Sequence, residues 1–147
     1  MPPHAAPSAP PTSPDEVVAR FLAGTLDPAH WTHASHLIVC RHVLAASNDL
    51  EEAIAHLRTL IERHNARVGI RPGHGGYHET ITRYFVGAVA HADPPTTTAM
   101  LTDPAMRRDA PLDHWTAALL ASDAARTGWV EPDRAALAWP TTFRPPT

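Results

Sequence analysis

From Val17 to about Arg126, apolar residues recur at intervals of three and four, and nowhere do apolar and polar positions alternate as a half-buried strand requires. The pattern predicts an all-α fold: a single bundle of about five helices over residues 14–139. Ser13-Pro14-Asp15-Glu16 is a helix start, with a capping serine, a proline at the first helical position and a glutamate at the capping-box place. The helix that follows carries Val17, Val18, Phe21 and Leu22 and stops near Gly24. A second helix is expected from about Thr32 to Ser47. A third, capped by Asn48 or Asp49, should run from Leu50 to about Val68, with Leu50, Ala53, Ile54, Leu57, Ile61, His64 and Val68 on one stripe. After Arg71-Pro72-Gly73-His74-Gly75-Gly76 a fourth helix is expected from about His78 to Ala92. A short helical piece near Thr98 to Leu101, a fifth helix from about Leu112 to Arg126 and a last turn after Pro132 complete the reading.

Outside these elements, residues 1–13 are a Pro/Ala/Ser segment expected to be a disordered arm, and residues 140–147 a flexible tail. At 147 residues and 44% hydrophobic, the chain suits one folded domain. No apolar run approaches the roughly 20 residues of a membrane span, and the first residues lack the charged and apolar regions of a secretory signal. With one cysteine, Cys40, no internal disulfide is available, so a cytoplasmic location is expected. The net charge of -3 argues against nucleic-acid and anionic-membrane partners. All 12 basic residues are arginine. Without lysine there is no Schiff base to pyridoxal phosphate and no P-loop, so neither that cofactor nor a nucleotide is expected.

Eleven histidines are far more than a chain of this size usually carries, and the helical register says which of them converge. At about 100° per residue, one face of the second helix holds His33, His36, Leu37, Cys40, Val43, Leu44 and Ser47. That helix is apolar almost all round and therefore expected at the centre of the bundle. Short connections favour antiparallel neighbours. The start of the second helix (His33, His36), the end of the third (His64, Asn65) and the start of the fourth (His78, Glu79) then share one end of the bundle. On the fourth helix His78, Ile81, Thr82, Phe85 and Val89 form an inward stripe, while Glu79 lies about 100° away with Arg83, as a catalytic carboxylate or merely an exposed i,i+4 pair.

The two motifs at that end, Trp31-Thr32-His33-Ala34-Ser35-His36-Leu37 and Tyr77-His78-Glu79-Thr80-Ile81-Thr82, resemble a widespread group of small bacterial proteins of unassigned function. The resemblance reaches from about Phe21 to Thr82, with a weaker likeness around Trp129 to Pro132. It implies that residues 31–37 and 77–82 act as one unit and brings no reaction with it. Immediately before Gly76 this chain has Pro72-Gly73-His74-Gly75 where the group has a polar stretch.

The chemistry expected of such a site is that of a small enzyme acting on a small polar metabolite. In one reading His33, His36 and His78 hold a divalent metal (Zn, Fe or Cu), with Glu79, His64 or water as fourth ligand, or Glu79 as general base. In a second, the same histidines act as acid and base without metal, as in a lyase or isomerase. In a third, the chain is a non-catalytic ligand- or metal-binding protein. Trp31, Tyr77, Thr82, Asn65 and Arg83 are the expected substrate contacts, with Arg41 an alternative partner for a carboxylate. Asn65 is alternatively a bond to His78 or a helix cap, and Thr80 a cap or a partner of a histidine ring. Cys40 reads as a buried filler before it reads as a nucleophile. His74 lies in a loop expected to cover the pocket. The remaining histidines, His4, His30, His42, His56, His91 and His114, read as surface or structural residues.

Overall fold

Helix signals in the first half of the chain act where the sequence places them. In the computed structural model, which describes residues 9–70 and 76–139, α1 spans Pro14–Ala23; Ser13 accepts the Glu16 N–H, and Gly24, at φ 74°, turns the chain out of the helix. Glu16 reaches back to the Thr12 N–H and hydroxyl instead of closing the capping box on Ser13. The expected arm is described only from residue 9, where Arg20 donates to the Ala9 carbonyl; residues 1–8 and the expected tail lie outside the described residues.

Thr32 caps α2 (His33–Ala45), and Asp49, not Asn48, caps α3 (Leu50–Arg67). Beyond the end of α3, Gly69, at φ 83°, turns the chain so that the Ile70 N–H bonds back to the Asn65 carbonyl at 2.8 Å. Helix α4 covers Glu79–Ala92. His78 stands just outside it as the cap: its Nδ1 accepts the Ile81 N–H at 3.1 Å. Helix α5 is Thr97–Thr102. Every regular element among the described residues is helical.

The second half departs from expectation. Instead of one helix from Leu112 to Arg126 there is a 3-10 turn (Ala110–Asp113), then α6 (Ala117–Leu120) and α7 (Asp123–Thr127). Thr116 and Ser122 each take a backbone N–H three residues on with their hydroxyls, restarting the chain twice. Trp115 gains from the break. It enters the core fully buried, with its indole N–H donating to the Val130 carbonyl at 3.0 Å. After Pro132 there is no helical turn; the Asp133 carboxylate accepts the Thr116 N–H and hydroxyl instead.

The apolar character of α2 puts it at the centre, against α1, α3, α4 and α5, while α4 also packs on α7. Leu37, Val39, Val43, Ile54, Tyr84, Val86, Met100 and Met106 form the tightest part of the core. Gly87 lets the Trp139 indole approach α4 closely: a Cβ there would stand 2.5 Å from the indole Nε1. Gly87→Ala is expected to displace that ring and cost about 2 kcal/mol by overpacking. Denaturation in urea, with Trp139→Ala as the background in which the same substitution becomes nearly neutral, checks this. A full-size penalty in that background would place the strain elsewhere.

Candidate functional site

Three helix ends meet around a cavity of about 490 Å³. His33, His36, Leu37 and Cys40 line it from the first turns of α2; Ile61 and Asn65 line it from the end of α3; and His78, Ile81, Thr82 and Phe85 from the start of α4. The arrangement is what alternating chain direction produces when connections are short. Trp31 and Tyr77, preceding α2 and α4, complete the wall. Gly76 also lines the cavity, whereas His74 and the rest of the loop expected to cover it, residues 71–75, lie outside the described residues.

Trp31 takes both roles the sequence suggests. It faces the cavity and is clamped from behind, stacked on Phe21 (centroids 4.2 Å, planes 13° apart) and against His36 (3.7 Å). His64 closes this aromatic group at 5.3 Å from Trp31, buried, with its Nδ1 accepting from Arg67. It belongs to the support of the wall and not to the lining.

The histidines differ in what each has left to offer. The Nε2–H of His33 donates to the Met106 carbonyl at 2.7 Å, so Nδ1 keeps its lone pair. His36 is the mirror case: Nδ1–H donates to the Thr32 carbonyl at 2.8 Å, leaving Nε2. Burial brings the His36 pKa down to about 4, against the opposing pull of the Thr32 carbonyl, with His33, His64 and Arg108 adding repulsion. His36 is therefore a neutral acceptor at physiological pH. His78 has neither nitrogen to spare: Nδ1 caps α4 and Nε2–H donates to the Leu120 carbonyl at 2.7 Å. Burial likewise lowers its pKa.

This arrangement does not fit a metal centre of His33, His36 and His78, because a ligating imidazole needs a free lone pair and His78 has none. Among the described residues no group of three or more His, Cys, Asp or Glu side chains is arranged to hold an ion. Glu79 is not among the residues that line the cavity with these histidines. It is 4% exposed and lies between α3 and α4. Arg58 donates from Nε (2.8 Å) and Nη2 (3.0 Å), Arg83 from Nε (2.7 Å) and the Tyr77 hydroxyl at 2.9 Å, which fills the acceptor directions of the carboxylate. Arg83 also binds Glu51 and does not line the cavity, so it is no substrate contact; Arg41 is spent on Thr97 and the Pro94 carbonyl.

Thr80 neither caps nor meets a histidine. Fully buried, it donates to the Gly128 carbonyl at 2.7 Å and accepts the Val130 N–H, holding the C-terminal segment onto α4. The Cys40 thiol lines the cavity, and burial pushes its pKa up to about 12, which makes it a filler and not a nucleophile. Asn65 does line the cavity. It is 9% exposed, and its side-chain amide has no hydrogen-bond partner among the described residues, so it neither bonds His78 nor caps α3.

One lining residue has no signal in the sequence. Arg108 reaches the cavity from the turn after Met106, some seventy positions from His33 and His36, and no periodicity or motif links it to them. Compared with protein families, with curated proteins and with solved structures, the chain matches none.

Proposed function

We propose that the chain is a small, metal-independent enzyme that transfers a proton on a small, largely apolar molecule held in this cavity, in an isomerisation or elimination. The observation that carries the reading is the pairing of His33 and His36. Each lines the same cavity, and each has one ring nitrogen tied to a backbone carbonyl and the other free. A carbonyl on the far nitrogen selects the tautomer and stabilises the imidazolium that forms when the near nitrogen takes a proton, the logic of an oriented catalytic base. His33 is the proton carrier, accepting at Nδ1 while Met106 steadies Nε2–H. His36, held neutral, offers Nε2 as an acceptor that orients the substrate. Leu37, Ile61, Ile81 and Phe85 supply apolar surroundings, which strengthen such bonds.

The test is deuterium uptake in D2O by a panel of small carbonyl compounds, neutral and acidic (4-methyl-2-pentanone, phenylacetone, 4-methyl-2-oxopentanoate, phenylpyruvate), read by mass spectrometry above a protein-free blank. Chelator-dialysed wild type is expected to catalyse uptake, and His33→Ala, checked for fold by circular dichroism, to lose about 100-fold or more. Uptake that needs added Zn, Fe or Cu would replace this reading with a metal-assisted one. Binding of a panel member with no uptake would make the chain a binding module, and equal rates in wild type and His33→Ala would remove His33 from the chemistry.

A further inference from the structure

Beyond the free nitrogens of His33 and His36, the cavity has two polar groups that the fold itself does not use. Asn65 is the first: its residue is 9% exposed and lines the cavity, and its amide, which has no partner among the described residues, is open to the cavity and not sealed in the core. A ligand carbonyl or hydroxyl can take the place of the water that such an amide otherwise binds. The second is Arg108. Its neighbour Arg107 is taken by Asp113 at 2.7 Å and Asp109 at 3.9 Å, whereas Arg108 makes no ion pair or hydrogen bond among the described residues. It stands close enough to repel a proton from His36, and among the described residues no aspartate or glutamate lines the cavity to balance it. An unbalanced guanidinium at the rim of an apolar cavity favours an anion, and its planar fork suits a carboxylate.

Resting on the reading of this cavity as a substrate site, we infer that the substrate is a small organic acid. Its carboxylate pairs with Arg108 at the rim, its hydrocarbon part lies against Leu37, Ile61 and Phe85, and a carbonyl or hydroxyl meets the Asn65 amide. A volume of about 490 Å³ accommodates an acid with a branched aliphatic or single-ring side chain.

Matched pairs test the charge separately from the shape: 4-methylpentanoate against 4-methylpentanamide, and 3-phenylpropanoate against 3-phenylpropanamide. Binding is read by calorimetry and by the NMR shifts of the Trp31 indole and Asn65 side-chain amide protons. The acids are expected to bind about tenfold more tightly than the amides. Arg108→Gln, an exposed substitution that leaves the core intact, should erase that ratio while leaving amide affinity unchanged. Asn65→Leu should weaken acid and amide alike. Acid and amide binding equally, with the Trp31 and Asn65 signals still shifting, would overturn the organic-acid inference and leave the cavity reading standing. No shift at Trp31 or Asn65 with any of the four would overturn both.

Discussion

Glu79→Ala is expected to destabilise the fold by about 3 kcal/mol, the magnitude typical of removing one partner from a buried ion pair. The carboxylate is buried between α3 and α4 with four donors on it, and its loss leaves Arg58 and Arg83 facing each other without an anion between them. Arg83 keeps Glu51, which is more than half exposed, so its compensation is weak. Arg58, with its side chain 39% exposed, recovers part of its hydration, and for that reason Arg58→Ala should cost about 1 kcal/mol, well below the glutamate. Urea denaturation of the two variants checks the order. The same substitution frees the Tyr77 hydroxyl and the ring that Arg58 overlies at 6.0 Å, so one cavity wall loosens with it. A loss below about 1 kcal/mol for Glu79→Ala would reduce the network to an ordinary surface pair.

Glu79 also marks where sequence reasoning stops. Its position about 100° from the inward stripe of α4 is legible, and so is its i,i+4 spacing to Arg83. Its burial is not, because that depends on Arg58 arriving from α3, 21 positions away. The same division runs through the chain. The cap at Ser13, the choice of cap between Asn48 and Asp49, the stripe of α3 and the nearly all-apolar α2 are local properties and read directly. Convergence of three helix ends follows from short connections and can be inferred without side-chain detail. What His33 and His78 have left to offer cannot, since it is decided by carbonyls of Met106 and Leu120, far along the chain. The C-terminal half misleads for a physical reason: its apolar spacing is helical, but the Thr116 and Ser122 hydroxyls compete for backbone N–H groups, and burying Trp115 outweighs continuing one helix. Arg108 leaves no trace in the pattern because nothing local requires it.

His36 gives the second large effect, and it is one of pH. Burial holds its folded pKa near 4, while in the unfolded chain it returns to about 6.5. Above pH 6.5 both states are neutral and the residue adds no pH dependence. Between pH 6.5 and 4 the unfolded chain takes up a proton that the folded chain refuses, so stability falls as the pH falls. The full difference corresponds to about 3 kcal/mol, and the ring's remaining contact with solvent reduces this to about 2 kcal/mol. His64 and His78, lowered in the same direction by burial, add to the fall in stability below pH 6.5. Wild type is therefore expected to lose about 2 kcal/mol more than His36→Gln on going from pH 7 to pH 4.5, with carboxylate protonation common to both. Histidine NMR supplies the direct reading: a folded-state titration near pH 4 and a neutral ring protonated at Nδ1. A midpoint near 6.5, or a ring protonated at Nε2, would contradict the Thr32 bond and with it the assignment of Nε2 as the acceptor facing substrate. The same neutrality governs the proposed chemistry. A neutral His36 accepts a hydrogen bond from substrate without competing for the proton that His33 carries, and the division of labour between the two rings fails once both are charged.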